Sequence, residues 1–536
     1  MGLTFKVCRI VGVVQLLVLA ASGQTPVPGK YYEYYTVAKT GGSFTSLGAG
    51  PSINDAREVG FQGSTASGNG LWMGTGAGVP VNFNPGESFA SSDIIHPSVQ
   101  INAQHQVVSQ DRISTTSPAT TSIRLYNANV TDSYIYAVRG GPFHTGVGGY
   151  LYDAVFSSPS TNKNGDVVFT AQYASQAPFK VLGYLAAGTT TPVERPIRSG
   201  NPKPMIADNG NVVIQVGGAG GQTNFQIQVY PQGLGAPAII ADTAANWTSL
   251  DNDPGISRDG RIVAFQGNPN ALGAAAIGTT VGPGIFVAID EGTGFSNARI
   301  LRVTGGKIED VAADRAAVRG NYDGVCDAGE ICKPAAELGF DAAGNAITIA
   351  SYAADSRVGV VNVDFGAPGI DDDTFVVSFV ATPSSASRDN PALIPGTPLI
   401  FSAQPGLWTI RVDVQKALSA TGRVYHPFTP IPVVQVGDRL GPDTITGIAV
   451  YDPIANAAHD ESGNIRTMRR GDHRVAFWAS TNHGDVIVRG NHLDSDQDGL
   501  LDHWETTGID MDQDGVVDLN LSTYGANVFT RDLFLQ

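Results

Sequence analysis

The sequence predicts an all-β fold: a β-propeller of about seven four-stranded blades, within a range of six to eight, followed by a small acidic module. Three observations carry this. The 536-residue chain has 65 glycines, and its body consists of short β-branched and aromatic runs between turns, with few charges. One turn-and-strand pattern returns along residues 30–490. After it come nine carboxylates between Asp494 and Asp518 with no Lys or Arg among them.

Residues 1–23 read as a secretory signal peptide. Lys6 and Arg9 precede an apolar run over 10–21, and Ala21, Ser22 and Gly23 offer a cleavage site before Gln24. The run falls short of the roughly 20 residues that span a bilayer, so no membrane insertion is expected. Cys8 lies ahead of the run, where a lipoprotein cysteine would follow it. The expected localisation is secreted, cell-surface or periplasmic.

Residues 24–490 form the predicted propeller. The aromatic YYEYYTVAKTGGSF from Tyr31 precedes the first repeat and is expected to complete the last blade. The repeat is a Pro or small residue, an aliphatic, a polar turn and an alternating apolar strand. Its copies are PSINDAREVGF from Pro51, PSVQINAQHQVV from Pro97, PSTNKNGDVVF from Pro159, PMIADNGNVVI from Pro204, PGISRDGRIVAF from Pro254 and PGIDDDTFVVSF from Pro368, with GDHRVAFWAS from Gly471 as a looser last one. Successive prolines lie 46, 62, 45, 50 and 114 residues apart, so the last gap holds two units or one with an insertion. LGFDAAGNAITI from Leu338 is the candidate hidden copy. Units of this length match four-stranded blades, which bury both faces only by packing around an axis. The PSIN…G.VAF pattern resembles TolB-like and related bacterial secreted propellers, which implies the fold and says nothing of activity.

The segment 307–336 interrupts the repeats and is expected to project from one face as a loop. Cys326 and Cys332 lie close together there, and an exported chain allows a disulfide between them. The same stretch holds a degenerate cation loop: Asn321, Asp323, the Val325 carbonyl, Asp327 and Glu330, but with Arg319 at its first position.

Residues 491–536 form the predicted calcium module. Counting from Asp494, carboxylates occupy loop positions 1, 3, 5, 9 and 12 (Asp494, Asp496, Asp498, Asp502, Glu505), with Gly499 at position 6. Ca²⁺ takes six to eight oxygens at about 2.3–2.6 Å, and alternate side chains of a tight loop converge on one centre. Leu500 supplies the expected backbone carbonyl, and Glu505 two oxygens. A second loop follows with Asp510, Asp512, Asp514, the Val516 carbonyl and Asp518, but Leu521 replaces its terminal Glu. The tandem loops resemble thrombospondin type 3 and related acidic calcium repeats, which implies about two bound ions, and a third if the 321–330 loop takes part. In larger bacterial secreted proteins a segment of this kind often leads into a further domain, sometimes a metalloprotease, so the chain is expected to be a fragment or a truncated form of such a protein.

Composition and motifs narrow the function. The net charge of −16 has no basic patch with interleaved aromatics, which argues against nucleic acid. No HExxH or phosphate-cradling loop occurs, and the nearest approach to a nucleophile elbow, from Gly294 to Ala298, lacks its last glycine. Asp251, Asp253 and Asp259, and Asp371, Asp372 and Asp373, fall at repeat turns, where Asp bonds local backbone. His483, His492 and His503 are assigned no role, and Trp504 is expected to pack the acidic module against the propeller. The leading expectation is an exported calcium-binding module for an extracellular protein or polysaccharide, with calcium structural. The alternative is a secreted hydrolase or lyase, or the non-catalytic front of a metalloprotease.

Overall fold

A computed structural model describes residues 27–528 apart from internal stretches, the longest being 84–93, 139–151, 319–330, 364–373 and 387–400. Among the described residues, seven antiparallel sheets have four or more strands. Blade 1 is built on Val59–Thr65 and Gly68–Gly74, blade 2 on Gln106–Ile113 and Thr120–Asn127, and blade 3 on Val167–Tyr173 and Lys180–Leu185. Blade 4 uses Val212–Gly217 and Phe225–Tyr230, and blade 5 uses Ile262–Pro269 and Gly284–Ile289. Blade 6 uses Thr374–Pro383 and Gly406–Lys416, and blade 7 His473–Thr481 and Gly484–His492.

The recurring proline motif forms the inner edge of most blades. Ser52–Ile53, Gln100–Ile101, Ser160–Thr161 and Met205–Ile206 are the innermost strands of blades 1 to 4, the Gly255–Ile256 end of Trp247–Ile256 is that of blade 5, and Gly359–Val363 and Ile454–Asn456 are those of blades 6 and 7. Proline has no N–H to give a ladder, so it breaks the edge where the strand turns to the axis. Each innermost strand touches that of the next blade, and the last touches the first. The chain is a seven-bladed β-propeller.

Buried apolar residues fall into seven clusters, one for each junction between neighbouring blades. Strand alternation explains why. In blade 5, Ile262 and Ala264 join the core shared with blade 6, while Val263 and Phe265 join the core shared with blade 4. Both faces of a blade are therefore apolar, which is why its central strands read as near-continuous hydrophobic runs. At Gly255 a Cβ would stand 2.1 Å from the Val358 carbonyl oxygen, so the inner strands of blades 5 and 6 approach more closely than any side chain allows.

The N-terminal aromatic stretch closes the ring. Glu33–Lys39 pairs antiparallel with Gly484–His492, so this N-terminal strand completes the last blade. Tyr32 and Tyr34 are 0% and 3% exposed and belong to the core between blades 6 and 7.

Three repeat assignments are corrected. The stretch from Leu338 is not a hidden blade: Gly339–Phe340 pairs with Ala346–Ile347 in a two-stranded ribbon of its own, and Lys307–Glu309 pairs with Cys332–Pro334 in another. The 114-residue gap therefore holds one blade and an insertion, and 307–336 includes a paired ribbon. Blade 6 also begins upstream of Pro368, because its innermost strand is Gly359–Val363 and Pro368 lies outside the described residues. Blade 7 likewise starts from the Pro453 edge, with the strand after Gly471 second in the sheet.

The Asn of the repeat turn links blades. Asn102 Oδ1 accepts from the backbone N–H groups of Gln104 and Gln106, both at 3.0 Å, and its Nδ2 donates to the Asn162 carbonyl of blade 3 at 2.8 Å. Asn162 repeats this with Asn164, Asp166 and the Ala207 carbonyl of blade 4, and Asn54 donates to the Asn102 carbonyl. Asn162 is fully buried. Asn162→Ala strands two N–H groups and one carbonyl, and should cost roughly 3 kcal/mol, since each orphaned buried polar group costs about 1–3. Urea unfolding of the two proteins measures this, and Asn211→Ala, on a half-buried neighbour, should cost less.

Candidate functional site

Two places gather polar side chains: the acidic C-terminal segment and the central channel. In the first, the Asp502 N–H donates to the Leu493 carbonyl at 2.9 Å, joining the two sides of the first acidic loop. A short helix, Asp502–Thr507, leaves this loop. Three-residue spacing puts Asp502 and Glu505 on one helix face. Glu505 is 1% exposed, and the Asp502 carboxylate accepts from Ser495 N at 2.6 Å and Oγ at 2.7 Å. Asp494 N–H donates to Asp472 Oδ1 at 3.0 Å, and the Trp504 ring lies 6.1 Å from that of Tyr31, so the segment docks on the strand region that closes the ring.

The second loop is closed at its base, where Ile509 and Leu519 exchange backbone hydrogen bonds of 2.8 and 3.1 Å. Asp496, Asp498, Asp510, Asp512, Asp514, Val516 and Asp518 lie outside the described residues, as do Asn321, Asp323, Val325, Asp327, Glu330 and Cys326. Leu500 lies half-buried at the end of the first loop, and Cys332 opens its ribbon strand. Among the described residues, no three His, Cys, Asp or Glu side chains stand close enough to hold a metal. Glu505 is a carboxylate buried to 1% exposure, and burial of that depth is compatible with a cation or with strong donors beside it.

His503 is buried at 2% exposure, and His492 is half-buried. The His492 ring stacks on His473 at 4.9 Å beneath Tyr32. Burial, followed by the neighbouring His473 and His503, pushes His492 well below the usual imidazole range.

The central channel holds an ion network that sequence separation hides. Arg258 of blade 5 reaches across the axis to Asp452 Oδ2 of blade 7 (3.3 Å) and to the Ile53 carbonyl of blade 1 (3.2 Å). Gln100 of blade 2 donates to the same Asp452 oxygen at 2.9 Å and accepts from Thr161 N–H of blade 3. Burial works against the Arg258 charge, but Asp452, Asp55 and Asp208 outweigh it and hold the guanidinium above its ordinary pKa. Burial also raises the Asp55 carboxyl, against the pull of Arg258 and of the Asn456 N–H that it accepts.

At the other end of the inner strands, five blades meet. Arg357 of blade 6 donates to the carbonyls of Pro254 (3.3 Å, blade 5) and Lys203 (3.1 Å, blade 4), and its guanidinium lies 5.0 Å from the ring centre of Tyr451 in blade 7. Ser158 of blade 3 sits beside the Tyr451 hydroxyl, and Lys203 pairs with Asp253 at 2.7 Å. Burial pushes Tyr451 up to about 12, with Arg357 drawing it partly back.

The turn reading of the acidic repeats holds at Asp259, which accepts from Ser257 Oγ and pairs with Arg261, while Asp253 serves the ion pair with Lys203. Asp371 to Asp373 lie outside the described residues. Gly294 to Ala298 forms a one-turn 3-10 helix, Phe295–Asn297, and not a strand-to-helix elbow. Sequence reasoning missed Arg258, Gln100, Asp452, Arg357 and Tyr451. Asp452 does precede a proline as Asp253 does, a signal obscured because the following Ile-Ala-Asn lacks the usual nearby glycine turn.

No family model and no curated protein matches the chain. Among solved structures it is similar to an oligogalacturonate lyase in complex with manganese, with a TM-score of 0.41 at 7% identity over 88% of this chain and 97% of that one. An oligogalacturonate lyase from Vibrio parahaemolyticus gives 0.41 at 9% identity, over 87% and 98%. The β-propeller domain of the Trilobed protease from Pyrococcus furiosus gives 0.39 at 9% identity, over 84% and 98%. These are likenesses of overall shape; the blade count rests on the chain's own sheets and cores.

Proposed function

We propose that the protein is an exported binding module, a propeller whose ligand meets the central channel and whose acidic C-terminal segment holds structural calcium. Asp494, Asp496, Asp498, the Leu500 carbonyl, Asp502 and Glu505 hold one ion. Asp510, Asp512, Asp514, the Val516 carbonyl and Asp518 hold a second. The observation that supports this best is the burial of Glu505 in a segment docked through Trp504 beside the ring closure. Calcium there neutralises carboxylates that otherwise repel one another, and stiffens the place where Trp504 meets Tyr31. Extracellular calcium modules commonly bind at about 10⁻⁴–10⁻³ M, which suits a structural ion better than a signal.

The test is thermal unfolding of the full chain and of Asp498→Ala/Glu505→Ala, each with millimolar calcium and with chelator. The native protein should be stabilised by roughly 2–3 kcal/mol at calcium a hundredfold above its dissociation constant. The double variant should lose most of that gain and keep its propeller sheet content. Equal calcium stabilisation of both proteins would remove the ligand assignment.

A further inference from the structure

We propose that the channel mouth at Arg357 is a site for a carboxylate-bearing ligand, an inference that rests on the binding-module reading and gives its ligand a chemical class. The argument begins with charge. Among the described residues, two neighbouring cations each have a carboxylate: Lys203 has Asp253 and Arg258 has Asp452. Arg357 is only 3% exposed, yet among the described residues its guanidinium meets two backbone carbonyls and an aromatic face, and no carboxylate. A guanidinium does not shed its proton, so that charge remains in place.

Donor chemistry gives the second, independent observation. Among the described residues, Arg357 Nε and the hydroxyl of Ser356, the preceding residue, have no hydrogen-bond partner, and the hydroxyl of Ser158 lies within reach of Tyr451 across the channel. Ser158 and Ser356 are 0% and 8% exposed, so bulk water does not answer for these groups. Ser158 is also held at φ 69°, a left-handed backbone that a serine adopts only when its surroundings impose it. A positive charge that meets no carboxylate among the described residues, beside neutral hydroxyls, matches a monoanion that accepts several hydrogen bonds. A carboxylate does this, and its ring or chain hydroxyls would meet Tyr451. Asp253 and Asp452 stand close enough to disfavour a dianion. Lys203 and Asp253, with side chains 21% and 14% exposed, mark the side open to solvent.

The experiment is a calorimetric titration of the calcium-loaded full chain with sodium galacturonate, with sodium acetate as the bare carboxylate, galactose as the neutral control and sodium chloride at matched ionic strength. Wild type, Arg357→Gln and Ser158→Ala are compared, with thermal unfolding of each. The expected result is one saturable site for galacturonate, at least tenfold weaker binding of galactose, at least tenfold loss in Arg357→Gln and a several-fold loss in Ser158→Ala. If Arg357→Gln does not unfold like wild type, Ser158→Ala decides alone. Absence of carboxylate binding to wild type, a chloride response equal to it, or unchanged binding in Ser158→Ala overturns the proposal. Calcium stoichiometry in the same sample keeps the two readings apart: calcium bound without carboxylate overturns this inference alone, whereas absent calcium overturns the structural-calcium assignment.

Discussion

Removal of residues 31–39 should abolish the cooperatively folded ring, because no other strand can take their place on blade 7. Glu33–Lys39 supplies the partner for the whole outer side of Gly484–His492. Its loss uncovers Arg489, whose side chain is fully buried, stacked 4.2 Å from the centre of the Tyr35 ring and paired with Glu461. It also removes Tyr32, Tyr34, Val37 and Ala38 from two inter-blade cores. At roughly 1.5–3 kcal/mol for each large buried side chain, these losses rival the total 5–15 kcal/mol by which a typical domain is stable. The exposed edge of Gly484–His492 would also invite pairing between chains. Size-exclusion chromatography and a thermal scan should show aggregation and no sharp transition. A truncated protein that remains monomeric and melts within a few degrees of the intact one would show that the ring does not depend on this closure. Tyr34→Ala is a milder version and should cost about 3–5 kcal/mol, as large aromatic truncations do.

Asp452→Ala should be the most damaging single substitution in the channel, costing about 3–5 kcal/mol, because it leaves Arg258 charged and without its closest carboxylate among groups from four blades. Gln100 loses its acceptor in the same step. The sign of the double change discriminates. Arg258→Met with Asp452→Leu removes both charges and should be close to neutral, since a buried ion pair gains little over well-packed apolar side chains. If the network instead fixes the blades' mutual register, the double variant will be as unstable as the single one. Chemical denaturation of the three variants separates these cases.

The propeller was legible because its cause is local and repeated. Each copy carries its own edge-breaking proline, turn and two-faced apolar strand, so spacing alone sets the unit length. The closure by Tyr32 and Tyr34 was legible because aromatic side chains at a terminus demand burial. Blade 6 was misplaced because its innermost strand, Gly359–Val363, has no proline, whereas Pro368 further on mimics the motif. Leu338 misled for a related reason: Asp-Ala-Ala-Gly-Asn marks a hairpin turn, and a two-stranded ribbon needs the same turn as a blade.

The channel was not legible at all. Gln100 and Asp452 are 352 positions apart, and Arg258 stands in a turn whose composition suggests only local bonding. Ring closure brings them together, and no spacing rule encodes that. The acidic segment is the reverse case. Its proposed ligand positions follow from the register of one loop, so the calcium proposal rests on the sequence, and the described structure contributes the docking of Trp504 and the burial of Glu505.

Calorimetric titration of calcium into the chelator-treated full chain tests the functional account most directly. About two ions per chain, lost in part with Asp498→Ala/Glu505→Ala and accompanied by a rise in thermal stability, is the predicted result. No heat of binding at millimolar calcium, with the same unfolding curve in chelator, would contradict it.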